Sequence, residues 1–259
     1  MKKPVKRSIL RRIIRFIGVS TSVCVILGSI GLVALAWGYH NYVVKEPGTH
    51  LERDWIMGVI VQDSPVYYRD GEHRVGVFFD EQHRHYVPWE DLPRAYTSAL
   101  ISAEDGAFFE HPGVNVRGIV RAMRDNVKAG GVVAGGSTLT QQTAKNLYYR
   151  PDRSLKSKGV ELVNALRLEA HYEKTEIIEF YANQFHVTGN GRGIGIAARH
   201  FFSKDVEQLT LVESAFIAGL VKAPSYYDPF LGDADRRERS RERAQDRTRY
   251  VLGRLAKED

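Results

Sequence analysis

From Phe16 to Trp37 the chain reads FIGVSTSVCVILGSIGLVALAW, without one Asp, Glu, Lys or Arg. About 20 apolar residues in helical rise cross the hydrocarbon core of a bilayer, so this run is long enough to span one. Ahead of it stand Lys2, Lys3, Lys6, Arg7, Arg11, Arg12 and Arg15, with no acid among them. Cytoplasmic segments collect Lys and Arg, so residues 1–15 read as a basic cytoplasmic tail and 16–38 as a transmembrane anchor, with the rest outside. A cleaved secretory signal is the competing reading, with ALA at 34–36 as its cleavage site. Signal cores run about 7–15 residues, shorter than this one, which favours the uncleaved anchor.

The tail accounts for the charge. The chain holds 37 Lys and Arg against 31 Asp and Glu, net +6, and without the tail's cations the remainder is nearly neutral. A nucleic-acid binder concentrates its excess cations on the folded domain, so nucleic acid is not expected as a partner. The one cysteine, Cys24, lies inside the apolar run. No disulfide framework therefore supports the outer part, which has to be held by its core alone.

Residues 39–90 read as a small β-containing stalk. WIMGVIV (55–61) and VYY (66–68) are β-branched and aromatic, and Asp70-Gly71 between two such runs is a hairpin signal. Residues 91–259 read as mainly α. Thr210 with Glu213 three residues on is a capping box ahead of an apolar run. In VRGIVRAMRDNVK, Val116, Ile119, Val120, Met123 and Val127 form one helical stripe, with Arg117, Arg121, Arg124 and Lys128 largely off it.

Three segments carry candidate chemistry. In SAEDGAFFEHPG (102–113), a helix over 92–110 would put Glu104, Phe108 and His111 on one face, with Asp105 turned about 100° away. A glutamate beside an aromatic ring is partly desolvated, which raises its proton affinity toward that of a general base. The same residues also suit a capped, solvated helix end. In GGVVAGGSTLTQQTAKN (130–146), a glycine-rich apolar loop precedes Ser137 and Thr138 at a helix N-terminus, with Gln141, Gln142 and Lys145 following. Such a terminus favours an anion, though an ordinary N-cap and polar face fit as well. It is not a P-loop, because no GK[ST] follows the glycines. In RPDRSLKSKGVELVNALR (150–167), Arg153, Lys156 and Lys158 precede Glu161 as either a surface ion-pair set or a second anion site.

Taken in order, EDGAFFEHPG, GGSTLTQQTAKN, KGVE, KTEIIEFYANQ and ESAFIAGLVKAPSYYDPF resemble the peptidoglycan glycosyltransferases. That family comprises monofunctional enzymes and the glycosyltransferase domains of class A penicillin-binding proteins. The resemblance implies a lysozyme-like, mainly α domain outside the bacterial cytoplasmic membrane. It also implies polymerisation of lipid II onto a nascent glycan strand, with inversion at the donor anomeric carbon and release of undecaprenyl pyrophosphate. It makes Glu104 the base that takes the proton from the acceptor 4-hydroxyl, and assigns Asp105, Phe108 and His111 to the same motif. Ser137, Thr138, Gln141, Gln142, Lys145 and Asn146 would line the sugar and pyrophosphate sites. Lys158, Glu161 and Arg153 would handle the donor pyrophosphate. The resemblance admits a divalent cation, Mg or Mn, reached by Asp105 or Glu161 through the pyrophosphate, and no organic cofactor. Other cell-wall synthesis proteins are the partners such an enzyme implies.

Base and cations divide the work here much as two separated carboxylates do in inverting glycoside hydrolases. Two positions depart from the family pattern: Ser157 where an arginine precedes the lysine, and Thr248 in RTRYVL. The arginine-rich approach over 236–249 alternates with acids and reads as a solvated helix. No S-x-x-K or K-T-G occurs, so no penicillin-sensitive transpeptidase is expected in this sequence. Two rival readings stay open, a glycan hydrolase and a non-catalytic cell-wall scaffold. So does the N-terminal part of a bifunctional class A protein.

Overall fold

The structure is a computed structural model that describes residues 6–45, 48–61, 64–69, 74–78, 83–131, 135–148, 152, 154–187 and 191–257. The chain divides into two compact units, Met1–Pro47 and Gly48–Asp259.

The first unit is one helix, α1 (Lys6–Tyr39), continued by a π-helical turn over His40–Lys45. Within it, Arg15–Lys45 is the one helix among the described residues long and apolar enough to cross a membrane. Thr21, Ser22 and Ser29 donate their hydroxyls to carbonyls four residues back at 2.9 Å, which satisfies these donors within the helix.

The second unit runs α2 (Arg53–Ile60), β1 (Ser64–Tyr67), β2 (Arg74–Phe78), β3 (His83–Arg84), α3 (Arg94–Glu104), α4 (Val116–Ala129), α5 (Leu139–Leu147), α6 (Leu155–His171), α7 (Lys174–Gln184), β4 (Gly191–Arg192), α8 (Gly193–Phe202), α9 (Leu211–Leu220), α10 (Pro224–Tyr227) and α11 (Ala234–Leu255). It is mainly α, as expected. β1 and β2 pair antiparallel, so the hairpin is present, while its turn at Asp70-Gly71 lies outside the described residues. β3 and β4 pair in parallel through two residues each.

The extended reading of 55–61 fails. WIMGVIV is not extended; most of it lies in α2. Ile56 and Ile60, four residues apart, are both fully buried, so a helical period places the two isoleucines in the core. Burial overrides their β-propensity. Residues 86–89 are then clamped onto α7. Tyr86 Oη donates to Glu179 at 2.7 Å and the Trp89 amide to the same carboxylate at 3.0 Å. Asn183 exchanges two 2.8 Å bonds with the Val87 backbone.

The core gathers Tyr96, Leu100, Leu139, Leu168, Ile177, Phe180, Tyr181, Ile194 and Ile217. α3 packs against α9 and α11, and α5 against α6 and α7. The capping box of α9 forms as predicted, Thr210 Oγ1 accepting the Glu213 amide at 3.3 Å and Glu213 accepting the Thr210 amide at 2.9 Å. α4 is the exception to this packing. Its N-cap Asn115 and its left-handed Gly130 end it cleanly, yet only Ala122 is buried. Val116, Val120, Met123 and Val127 are 61–81 % exposed, so the apolar stripe faces away from the core.

Candidate active site

The helix predicted to run through residue 110 stops at Glu104, and Asp105 leaves it at φ −158° and ψ 67°. The cause is tertiary. Asp105 Oδ2 accepts the Leu139 amide at 3.0 Å, and both carboxylate oxygens lie 3.1 Å from His111 Nε2. These bonds hold the 105–111 segment against the start of α5, so Glu104, Phe108 and His111 do not share a helical face.

Phe108 enters the core, with the Lys174 ammonium 4.3 Å from its ring centroid. Lys174 also donates to the His111 carbonyl at 2.7 Å and to Glu169 at 2.8 Å, and Thr140 donates to Glu169 as well. Gly113 closes the turn at φ 84°, where an added Cβ would lie 2.8 Å from Glu169 Cγ. Its carbonyl receives Thr138 Oγ1 at 2.6 Å. Only glycine fits that backbone comfortably.

Glu104 sits in a cleft of about 1060 Å³ between the 102–118 segment, the 135–138 segment and α11. Arg247 Nη2 donates to its Oε1 at 2.6 Å, and both side chains are nearly buried, at 12 % and 11 % exposure. Gln142 Nε2 reaches Oε2 at 3.4 Å. Burial pushes the Glu104 carboxyl up from its ordinary value, while Arg247, the Gln142 amide and Lys222 pull it back. A carboxylate in this setting binds a proton better than an exposed one. The cleft wall carries five cations (Arg117, Arg121, Lys222, Arg247 and Arg254) against Glu104, Asp105 and Glu110, so it favours an anionic ligand.

A second group adjoins the first. Thr138 caps α5 in a reciprocal capping box with Gln141, whose side chain is thereby committed to the helix end. Ser137, on the cleft wall, accepts Lys158 Nζ at 3.2 Å. Lys158 also pairs with the buried Glu161. Lys145 is exposed on α5, and neither it nor Asn146 lines the cleft; Arg153 lies outside the described residues. The structure thus brings together Glu104, Asp105, His111, Ser137, Thr138 and Gln142 at the cleft, with Lys158 and Glu161 beside it.

The carboxylates do not make a binding set for a divalent cation held by protein alone. Both Asp105 oxygens face His111, Glu161 faces Lys158, and no group of three or more His, Cys, Asp or Glu converges among the described residues.

The two positions that depart from the family pattern lie away from the cleft. Ser157 joins Asp152 and Ser154 in the cap of α6. Thr248 is buried, donates to the Ala244 carbonyl at 2.8 Å, and lines a separate, mostly apolar groove with Phe202 and Phe216. In contrast, Arg247 belongs to the stretch read as a solvated helix, and that reading is wrong for it. Arg117, Arg121, Lys222 and Arg254 were likewise not singled out as site residues. Lys222 and Arg247 did lie in segments with family likeness, APSYYDPF with its preceding lysine and RTRYVL, and that was the available signal.

A family profile described as Transglycosylase matches residues 71–256. The chain is 40 % identical over 193 residues to a penicillin-binding protein 1A of Neisseria flavescens, covering 74 % of this chain and 23 % of that one. It is 38 % identical over 170 residues to penicillin-binding protein 4 of Bacillus subtilis, covering 66 % and 27 %. The chain therefore spans about a quarter of the length of the curated relatives it matches. A crystal structure of penicillin-binding protein 1A from Haemophilus influenzae aligns at 24 % identity and a TM-score of 0.38, over 75 % of this chain and 18 % of that one.

Proposed function

Since the chain belongs to the transglycosylase family, we propose that it is a peptidoglycan glycosyltransferase that polymerises lipid II, with Glu104 as general base. The observation that carries the reading is a nearly buried carboxylate, held by Arg247 and Gln142, in a cleft with five cations on its wall. Glu104 takes the proton of the acceptor sugar's 4-hydroxyl as that oxygen attacks the donor's anomeric carbon from the face opposite the leaving group. The new C–O bond forms while the bond from that carbon to the pyrophosphate oxygen breaks, with inversion. The lipid pyrophosphate departs with the electron pair, and Glu104 returns its proton to water.

Lys158 and the cleft arginines stabilise the negative charge that develops on the leaving group. Oriented cations in a partly desolvated site are worth far more than the same charges in water. Glu161 keeps Lys158 in reach of Ser137. A hydrolytic reading would call for a protonated carboxyl and gives these cations no task.

The lipid part of the substrate also finds support. The exposed stripe of Val116, Val120, Met123 and Val127 stands on the same helix as the cleft residues Arg117 and Arg121. α4 would thus present Val120, Met123 and Val127 to the acyl boundary, while its first turns, Val116 included, border the cleft. α1 is read as a single-pass anchor in the cytoplasmic membrane, its basic tail inside and the catalytic unit outside.

The test is polymerisation of labelled lipid II by the purified full chain in detergent, beside Glu104→Gln. Wild type should give long glycan, and loss of the base should lower the rate by about 10²–10⁴-fold. Absence of polymer from well-folded wild type, with a working control enzyme, would overturn the reading.

A further inference from the structure

We propose that Tyr181 of α7 is a positioning residue for the base, acting through the side-chain amide of Gln142. The inference rests on the glycosyltransferase reading, and on a chain of bonds that crosses three helices. Tyr181 Oη donates to Gln142 Oε1 at 3.1 Å, and Gln142 Nε2 points to Glu104 Oε2 at 3.4 Å.

An amide has one acceptor end and one donor end, and nothing in its shape decides which end faces which neighbour. Tyr181 decides it. Its ring is buried and stacked on Phe185, with centroids 6.3 Å apart, so the hydroxyl is held in place. Burial, with Glu104 and Tyr96 nearby, keeps that hydroxyl protonated and therefore a donor. A donor at that point attracts Oε1 and so turns the amide's N–H toward the carboxylate. The reverse orientation would set a carbonyl dipole against Glu104. With Arg247 on one oxygen and the amide on the other, the carboxylate has one orientation in the cleft. The charged groups facing Glu104 are Arg247 from α11 and Lys222 after α9; α5 contributes the neutral Gln142 and α7 the neutral Tyr181.

Tyr181→Phe removes the hydroxyl and keeps the ring. Released, Gln142 no longer holds its donor on the ionised carboxylate, so the proton affinity of Glu104 rises by about 3- to 10-fold, the scale of one hydrogen bond. The readout is the titration of Glu104 by carbon NMR on side-chain-labelled full chain in detergent, assigned with Glu104→Gln. Polymerisation against pH is followed in parallel. Tyr181→Phe should raise the Glu104 titration midpoint, move the acid limb of the rate profile the same way, and lower kcat about 3- to 10-fold with KM little changed. In a Gln142→Ala background the same substitution should have no further effect. Equal shifts in both backgrounds, or none in either, would overturn the proposal. Should Tyr181→Phe not fold, 3-fluorotyrosine at 181 keeps ring and hydroxyl, strengthens the donor and should lower the midpoint; no shift would overturn it. Were wild type inactive, the activity reading would fail while the titration still decided the Tyr181–Gln142–Glu104 link.

Discussion

Glu104 and Glu161 are both largely buried carboxylates beside a cation, and they are built in opposite ways. Lys158 pairs with Glu161 from three residues earlier on the same helix and is 40 % exposed. The partner of Glu104 is Arg247, 143 residues away on α11 and 11 % exposed. One pair is local, its ammonium largely in solvent although its carboxylate is buried. The other is held by the packing of α3 against α11 and braced on its second oxygen through Gln142. The difference suits the proposed chemistry. A base has to meet its proton at a fixed distance, whereas a cation that follows a departing pyrophosphate needs reach.

Substitutions at the two ends should separate them, and the largest effect is expected at Arg247. Arg247→Ala leaves a desolvated carboxylate without its cation. Because the guanidinium favours the ionised form, its loss raises the Glu104 pKa further, so the acid limb of the rate profile should move to higher pH. At neutral pH the polymerisation rate should fall by about 10²-fold. An unchanged profile would mean that Arg247 serves structure alone.

A smaller effect is expected at the local pair. Lys158→Ala should lower the rate by about tenfold, and the loss should narrow as salt rises, since an exposed ammonium is screened. The Arg247 effect should resist salt. Equal salt dependence at both sites would break the contrast between them.

Next in size is an effect on stability. The folded-state pKa of Glu104 is raised by burial. Its contribution to stability is therefore full below the unfolded value and lost as pH rises through the folded one. Glu104→Gln mimics the neutral form, so at neutral pH it should melt no earlier than wild type while being inactive. A markedly lower Tm would show that the ion pair to Arg247 outweighs the burial of the charge.

The smallest effects are expected at Ser157 and Thr248, whose hydroxyls bond to Asp152 and Ser154 at the α6 cap and to an α11 carbonyl. Ser157→Ala and Thr248→Ala should each change polymerisation by less than about twofold, a surface cap and an intrahelical hydroxyl being worth little to a distant cleft. A large loss at either would mean that its hydroxyl serves the reaction and not the helix alone.

Much of this was legible residue by residue. The apolar run of α1, the amphipathic α4, the caps at Thr138 and Thr210 and the Lys158–Glu161 spacing are all written within a turn or two of chain. In each, the physical partner is a sequence neighbour: a side chain three or four residues on, or a free amide at a helix end. The resemblance to a family also points to the segment that holds Glu104.

What only the tertiary structure decided depends on residues far apart in the chain. Asp105 ends α3 because the Leu139 amide and His111 are there to receive it. The 55–61 run is mostly helical because the core takes Ile56 and Ile60 on one side. The stripe of α4 was equally compatible with a core and with a lipid surface, and the packing leaves it uncovered. Arg247 reads as one cation among many in a charged helix until α11 packs against α3 and sets it 2.6 Å from Glu104. Periodicity and capping are short-range properties that a sequence carries openly. The choice of a distant partner is made by the whole core at once, and no local pattern encodes it.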